Sequence, residues 1–311
     1  MKEIGPGLQA LQKAFGERVQ VNAPLADLVT VHAGGNAIAL LAVQSRSELA
    51  QAARLLWEHG TPFFILGNGS NVLISDTGFE GIVLVNKARR IEFISDQGSP
   101  AMWVDSGTNL GTAARQAGLK GLSGLEWAAA IPGTVGGAVY GNAGAHGRDI
   151  HDNLILAEIL HPVRGEESWT CAQMEYGYRT SGLKKLAEKC VILAALLRLT
   201  PGDPEEIDRL MDEYAQRRRR TQPPGASMGS IFKNPAGDRA GRLIEAAGLK
   251  GYRIGGAQVS TVHANFFVND DGASALDIWN LIQKVRATVQ DRFGVTLESE
   301  IELIGSWPAQ S

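Results

Sequence analysis

A stretch made largely of glycine, alanine and small polar residues, residues 125–147, constrains the fold of this chain most strongly. Glycine has no side chain and tolerates positive φ, so such a stretch lets the backbone approach a ligand closely. Backbone amides presented in this way suit an anion such as a pyrophosphate. A second glycine-rich loop, G-N-G-S-N at residues 67–71, follows the apolar run 63–66. Two such loops predict dinucleotide binding, although either loop alone is more often a tight turn.

Length and composition exclude several classes of protein. At 311 residues, with 44% hydrophobic and 20% charged residues, the chain is expected to form about two globular domains. A net charge of −3 gives no reason to expect a nucleic acid or an anionic membrane as partner. Cys171 and Cys190 fit no zinc or redox motif, and the six histidines form no metal-like cluster. We therefore expect no bound metal. Because the N-terminus lacks the apolar region of a secretion signal, we expect a cytoplasmic protein.

The first half of the chain predicts alternating strands and helices. A strand at 37–43 is followed by a helix whose start is marked by Ser45 and Glu48 in capping-box spacing, and then by a strand at 63–66. The glycine loop follows the second strand of this unit, and Val72 stands where a third glycine would be needed. These features exclude a Rossmann fingerprint, and no Gly-Lys-Ser/Thr of a P-loop is present.

The second half predicts longer helices. A helix that begins at Pro204 ends in four arginines, residues 217–220, which complement the helix dipole more simply than they form a nucleic-acid patch. Apolar spacing predicts a helix at 276–293 with Leu281, Ile282, Val285 and Val289 facing inward. Strands are predicted at 263–268 and, from strict alternation, at 295–304.

Three side chains carry candidate chemistry. Arg179 stands among tyrosines, and arginine is suited to bidentate binding of a carboxylate, although a surface arginine that packs on tyrosine is the commoner case. Ser230 follows a glycine and is a candidate proton donor or a turn residue. Glu300 shares a strand face with two further carboxylates, which suits acid–base work or a solvated surface. A hydrolase triad is not supported, because no Gly-x-Ser-x-Gly surrounds Ser230.

Eight motifs in order give the chain a clear resemblance to the UDP-N-acetylenolpyruvoylglucosamine reductase (MurB) family. They are T-V-H-A-G-G at 30–35, G-N-G-S-N-V-L at 67–73, I-P-G-T-V-G-G-A at 131–138, G-N-A-G-A at 141–145, Y-R at 178–179, G-S-I-F-K-N-P at 229–235, L-K-G at 249–251 and L-E-S-E-I at 297–301. Each motif alone is weak, but the ordered set covers residues 21–305 approximately. The short segments after Arg179 and Ser230 resemble the second type of the family, which lacks an inserted tyrosine loop.

The resemblance implies an α+β fold with a vanillyl-alcohol-oxidase/PCMH-type FAD-binding domain in two lobes and a smaller α+β substrate-binding domain. The implied limits are 1–200 for the FAD-binding domain, with lobes at about 1–90 and 91–200, and 201–294 for the substrate-binding domain. Residues 295–311 would form a strand that returns to the flavin lobes.

The implied activity is reduction of UDP-N-acetylglucosamine enolpyruvate by NADPH through non-covalently bound FAD, in a monomeric cytoplasmic enzyme of peptidoglycan synthesis. Arg179 and Glu300 would stabilise charge on the substrate carboxylate, and Ser230 would donate the proton. Implied substrate-binding residues are Tyr178, Asn234, Lys250 and His263. Implied FAD-binding residues are Gly67, Asn68, Gly69, Ser70, Asn71, Val72, Leu73, Pro132, Gly133, Thr134, Gly136, Gly137, Ala138, Asn142, Ala143 and Gly144.

Two residues depart from the family pattern, and two other functions are compatible with parts of the sequence. His32 stands where an arginine or lysine is usual, and His146 where an aromatic residue is common. One rival is an FAD-dependent oxidase of the same fold acting on an alcohol or sugar, with His146 as the nearby candidate for a covalent flavin link. The other rival is a non-catalytic nucleotide-binding module, which would not need Arg179, Ser230 and Glu300.

Overall fold

The computed structural model of the chain describes residues 5–186 and 189–308. Its helices are α1 Pro6–Phe15, α2 Arg46–Glu58, α3 Leu110–Gly118, α4 Val135–Gly141, α5 Ile150–Asn153, α6 Gly182–Lys185, α7 Pro204–Thr221, α8 Ala240–Ala246 and α9 Ala275–Phe293. Its strands are β1 Val19–Pro24, β2 Asn36–Val43, β3 Phe63–Leu66, β4 Val72–Ile74, β5 Phe79–Asn86, β6 Ile91–Asp96, β7 Ser99–Asp105, β8 Leu122–Ser123, β9 Gly144–Ala145, β10 Arg148–Asp149, β11 Leu154–His161, β12 Gly165–Thr170, β13 Val191–Arg198, β14 Thr200–Pro201, β15 Ala226–Ser230, β16 Arg253–Ile254, β17 Ala257–Val259, β18 Phe266–Asn269 and β19 Glu302–Ile304.

The chain divides into two compact units. Unit 1 contains the described residues of Met1–Gln20, Ala39–Gly67 and Gly81–Arg217, and unit 2 contains those of Val21–Ile38, Asn68–Glu80 and Arg218–Ser311. Each unit mixes helices and strands, as predicted for the α+β class. Among the residues that the structure describes, no helix has the length and apolar character that crossing a membrane requires.

A five-stranded sheet in the order β12-β11-β13-β7-β6 forms the centre of unit 1, and all its neighbouring strands are antiparallel. β13 is buried along nearly its whole length, which explains its continuous apolar sequence. A hydrophobic cluster packs this sheet against α3 and α4 through fully buried side chains that include Met102, Ala114, Val135 and Val139. This core fixes α4 and therefore the loop that precedes it.

The β2–α2–β3 segment leads to the first glycine loop. The Ser45 hydroxyl accepts a hydrogen bond from the Glu48 amide, so the predicted helix start is confirmed. The Glu48 carboxylate accepts from the amide of Gln44 and not from that of Ser45, so the predicted capping box is only half formed. β3 pairs with β5 in parallel and ends at Leu66, immediately before residues 67–71.

Unit 2 contains a four-stranded sheet in the order β15-β18-β17-β16, with α9 packed against β16 and β17. The Ser274 hydroxyl caps α9, and the carboxylate of Asp76 accepts hydrogen bonds from the amides of Ala275 and Leu276, each at 2.8 Å. The inward face predicted for this helix is confirmed, because Leu281, Ile282, Val285 and Val289 are each fully buried.

Two strands predicted in unit 2 are shorter than expected. In place of a strand over 295–304, only Glu302–Ile304 is a strand, and it pairs in parallel with β4. The backbone before it is held by single bonds from other groups, such as that from the Arg286 guanidinium to the carbonyl of Leu297. The strand predicted at 263–268 begins only at Phe266, because the Ser260 hydroxyl and the His263 ring accept amide hydrogen bonds and fold the preceding residues into a turn.

Candidate functional site

Residues 69–71 of the first glycine loop present a row of backbone amides in unit 2. Gly69 has a φ of +63°, and a Cβ there would lie 2.4 Å from the carbonyl oxygen of Leu28 and 2.6 Å from the Cα of Val29. The fold itself therefore requires this glycine. Within residues 5–186 and 189–308, no hydrogen bond uses the backbone amides of residues 69–71 as donors. These amides fit the predicted role of binding an anion.

A cavity of about 420 Å³ lies beside this loop in unit 2. Its lining includes Thr30 and His32 from the T-V-H-A-G-G motif and Asn68 from the glycine loop. The Thr30 hydroxyl donates a hydrogen bond to the carbonyl oxygen of Ser227 at 2.6 Å, which holds the motif against β15. The cavity therefore connects two of the motifs that carry the family resemblance.

The second glycine loop, in unit 1, offers fewer free amides than predicted. The amide of Val135 donates to the Thr108 carbonyl at 2.9 Å, and that of Gly136 donates to the Ser106 carbonyl at 2.8 Å. The amide of Gly137 donates to the capping hydroxyl of Thr134 at 3.4 Å. These three amides are already paired within the protein, and Pro132 has no N–H, so the loop has fewer donors for an anion than its sequence predicted.

Gly67 and Gly137 both lie near Thr134, but packing within the protein requires a glycine only at Gly67. A Cβ on Gly67 would lie 2.6 Å from the Thr134 hydroxyl oxygen, so packing within unit 1 excludes a side chain there. Gly137 is exposed in α4, and a Cβ on it would make only an ordinary 3.6 Å contact with the same oxygen. The described residues therefore leave room for a side chain at Gly137, and a bound ligand would explain the glycine.

The remaining predicted cofactor residues lie around these loops. Pro132 and Gly133 precede α4, Ala138 is buried within it, Ala143 and Gly144 follow it, and Val72 and Leu73 belong to β4. Asn142 ends α4 in the left-handed conformation, with a φ of +45°. Its buried amide donates to the Gly177 carbonyl and to Asp149, each at 3.1 Å. Asn142 thus ties α4 to the segment that carries Arg179.

Arg179 is held in a defined position in unit 1. Its Nη2 donates a hydrogen bond to the Gly144 carbonyl at 2.9 Å, and its guanidinium lies 5.9 Å from the centre of the Tyr178 ring. Its φ of +55° is unusual for a residue with a side chain. The Tyr176 hydroxyl donates to the Val139 carbonyl at 2.9 Å and anchors the same segment. The sequence prediction of an arginine set among aromatic rings is therefore confirmed for Tyr178.

The segments that carry Ser230 and Glu300 lie side by side within unit 2. The amide of Glu300 donates to the carbonyl of Ile231, the residue after Ser230, at 2.8 Å. The side-chain amide of Asn71 in turn donates to the Glu300 carbonyl at 3.2 Å, so the first glycine loop is attached to the same segment. The segments that carry Ser230, Glu300 and the first glycine loop thus adjoin one another, so a hydroxyl and a carboxyl are available near the loop for acid–base chemistry.

The predicted substrate residues in unit 2 have different partners. Lys250 forms an ion pair with Glu245 at 2.9 Å. Burial lowers the pKa of His263, and the positive charge of Lys250 acts in the same direction. The side-chain oxygen of Asn234 accepts from the amide of Ala240 at the start of α8, so this residue also has a structural task. His263 and Lys250 are therefore close enough to interact electrostatically, as residues of one pocket would be.

Sequence reasoning missed Asn265, which is buried in unit 2 and binds the backbone of Phe232 through both ends of its amide. A signal was present, because a polar amide directly before the apolar run of β18 needs partners if it is buried. No metal was predicted. The described residues place Asp149, His151 and Asp152 near one another, but Asp149 accepts from Asn142 and Asp152 pairs with Arg148.

Comparison with known proteins agrees with the motif resemblance. Residues 37–169 match the FAD binding domain model, and residues 221–304 match the model of the UDP-N-acetylenolpyruvoylglucosamine reductase C-terminal domain. The reductase of Chloroflexus aurantiacus is 40% identical over 286 residues, which are 90% of this chain and 96% of that protein. The reductase of Bacillus subtilis is 39% identical over 299 residues, which are 96% of this chain and 98% of that protein.

A solved structure shows the same fold. The crystal structure of the reductase from Thermus caldophilus superposes with a TM-score of 0.76 at 35% identity, over 91% of this chain and 98% of that chain. With the match to the FAD binding domain model, this similarity confirms the predicted fold. The chain therefore belongs to the UDP-N-acetylenolpyruvoylglucosamine reductase (MurB) family.

Proposed function

We propose that this chain reduces UDP-N-acetylglucosamine enolpyruvate to UDP-N-acetylmuramate with electrons from NADPH and bound FAD, in peptidoglycan precursor synthesis. Identity of about 40% to reductases over nearly the whole chain supports the activity. The structural observation that carries the proposal is the bond between Glu300 and Ile231, which holds a carboxylate residue next to the segment of Ser230.

FAD is assigned to the two glycine loops. When bound, FAD supplies a flavin that accepts hydride from NADPH and passes it to the substrate. The amides of residues 69–71 would donate to its pyrophosphate, and the family resemblance assigns the loop at 132–137 to the same cofactor. His146, the candidate for a covalent link in the oxidase alternative, stacks on Tyr214 with ring centres 3.9 Å apart. The reductase reading needs no covalent link, and its FAD is non-covalent.

Arg179 is assigned the task of stabilising negative charge on the substrate carboxylate. Hydride addition to the vinyl group places developing charge on that carboxylate, and a fixed cation lowers the energy of this state. The hydrogen bond from Arg179 to the Gly144 carbonyl fixes the guanidinium before substrate binds. The prior positioning matters because a cation that must reorient during the reaction stabilises the transition state less.

Ser230 is assigned the role of proton donor to the substrate carbon that does not receive hydride, and Glu300 acts with Arg179 to stabilise charge on the substrate carboxylate. A serine hydroxyl is a weak acid, so its transfer depends on position and on a neighbouring group that replaces the proton. Lys250, Asn234, His263 and Tyr178 are assigned to the substrate, with Lys250 at its diphosphate. In the absence of an inserted tyrosine loop, the arginines at 217–220 are the candidates for covering that diphosphate.

The domain limits, the monomeric state and the cytoplasmic location given above belong to the same proposal. The matched FAD binding region, residues 37–169, lies within the proposed FAD-binding domain of 1–200. A cytoplasmic location agrees with the use of NADPH. Light scattering on the purified protein would measure its mass in solution, and a dimer would contradict the monomer.

An anaerobic absorbance experiment tests the proposed activity. The protein is reduced with NADPH and then mixed with UDP-N-acetylglucosamine enolpyruvate while the flavin band is followed. We expect rapid reoxidation in the wild type, and in Ser230→Ala normal reduction with reoxidation slowed by about 10²–10⁴-fold, the contribution of a general acid. Flavin that reoxidises only with oxygen would support the oxidase, and equal reoxidation in Ser230→Ala would remove Ser230 from the mechanism.

A further inference from the structure

The segment that follows Ser230 is held from two sides within unit 2. On one side, the amide of Ile231 donates to the backbone carbonyl of Asn265 at 2.9 Å. On the other side, the carbonyl of Ile231 accepts from the amide of Glu300. The pairing of β15 with β18 shifts in register between Ser227 and Ser230. β15 ends at Ser230, so beyond the bond from the Ile231 amide other groups must hold the backbone of the next residues.

The side chain of Asn265 bonds the backbone of Phe232 in the way that a neighbouring strand would. Its Oδ1 accepts from the amide of Phe232 at 3.0 Å, and its Nδ2 donates to the carbonyl of Phe232 at 2.8 Å. Together with its own carbonyl, this single residue satisfies three backbone groups directly after Ser230. Asn265 is 3% exposed, so water does not compete effectively for these bonds.

We propose that Asn265 is a positioning residue for proton transfer from Ser230, an inference that rests on the proposed function. The amide of Asn265 is fully engaged with Phe232, so it acts on the direction of the Ser230 hydroxyl through the backbone. A side chain at this place needs a donor and an acceptor side by side, and asparagine provides both without charge. A carboxylate of the same size provides two acceptors and leaves the Phe232 carbonyl without its donor.

Asn265→Asp makes the role testable through pH. When the introduced carboxyl is protonated it again offers one donor and one acceptor, and when ionised it does not. The charged or titratable groups around this segment include Glu300, whose amide bonds to Ile231, and His263 in the preceding turn. They also include Arg286 of α9, whose guanidinium is 6.0 Å from the Phe232 ring, and the pair Lys233–Glu298. Wild-type protein measured over the same pH range accounts for their titration.

The experiment measures both half-reactions of the FAD-loaded enzyme. For Asn265→Asp at about pH 8 we expect wild-type reduction by NADPH and about 100-fold slower reoxidation by UDP-N-acetylglucosamine enolpyruvate, the size of effect that a small misplacement produces. Reoxidation recovers relative to wild type as the pH falls to about 5, where a carboxyl of raised pKa becomes protonated. Asn265→Ser, which has no titratable group, is slow in reoxidation at every pH and keeps the inference testable if Asn265→Asp does not fold.

Asn153→Asp is the matched control. Asn153 is 4% exposed and likewise uses both ends of its amide, accepting from the Trp127 indole and donating to the Arg198 carbonyl, but it lies in unit 1 and has no assigned role in the reaction. We expect its reoxidation rate to follow wild type at every pH. Wild-type reoxidation in both Asn265 variants, or equal slowing of both half-reactions, would overturn the inference. A wild type that fails to reoxidise with the substrate would instead overturn the proposed function.

Discussion

Gly137→Ala tests whether the glycine at this position is required by the fold or by a bound ligand. Gly137 lies in α4, is exposed, and has room for a methyl group, since the nearest atom to an added Cβ is the Thr134 hydroxyl oxygen at 3.6 Å. Its φ is not in the left-handed region. In the protein without FAD the substitution should therefore be harmless, whereas in the complex the methyl group would occupy space that the proposed FAD uses.

The expected magnitudes have opposite signs in the two states. Replacing a helical glycine by alanine stabilises a helix by roughly 0.5–1 kcal/mol. For a chain of this size the FAD-free protein should gain about 1–3 °C in Tm. If the methyl group displaces the pyrophosphate from one charge-assisted amide bond, binding loses about 1.5–3 kcal/mol, which is about 10- to 100-fold in Kd.

Titration of FAD-free protein with FAD, followed by flavin fluorescence, measures the affinity, and calorimetry measures the Tm. Gly141→Ala is the control, because it is on the same helix and, apart from its chain neighbours and the backbone of that helix, no atom of the described residues lies within 4 Å of a Cβ built there. We expect the control to gain stability and keep its affinity for FAD. If Gly137→Ala binds FAD as tightly as wild type, the assignment of the second glycine loop to FAD is refuted.

Two further predictions concern unit 2. Asp76→Ala removes the carboxylate that accepts from the amides of Ala275 and Leu276 at the start of α9, and should lower the free energy of unfolding by about 1–2 kcal/mol in urea denaturation. An unchanged midpoint would show that the Ser274 cap suffices alone. Burial lowers the pKa of His263, so below about pH 6.5 the unfolded chain binds a proton that the folded chain resists, and stability falls as pH falls. In His263→Gln the fall of Tm between about pH 6.5 and pH 5 should be shallower than in wild type, and an identical slope would contradict this account.

Local patterns in the sequence predicted the helices well. The apolar spacing of α9 and the serine at the start of α2 depend on neighbouring residues, so one sequence contains the whole signal. Arg179, Ser230 and Glu300 were found because their motifs are short and contiguous. Their assigned roles stay predictions, to be decided by the half-reactions described above.

Features that depend on distant partners were not predictable in this way. The amides of Val135 and Gly136 are taken by carbonyls of residues 106–108, and nothing in the glycine loop itself signals this pairing. Asn265 meets Phe232 only because β18 lies beside β15 in a shifted register. The strand predicted at 295–304 is mostly irregular, because alternation reports which side chains are buried and not which backbone groups are paired.

The parallel pairing of β4 with β19 has a consequence for synthesis on the ribosome. Val72 is paired with Glu302, and 302 − 72 = 230 residues separate them. At roughly 5–20 residues per second, β4 waits about 10–50 s for the strand that completes it. During that time the glycine loop before β4 lacks its anchor, and an apolar strand edge is open to other nascent chains. Slow translation or a missing chaperone would therefore favour misfolding at β4 and at the loop before it, which is assigned to FAD.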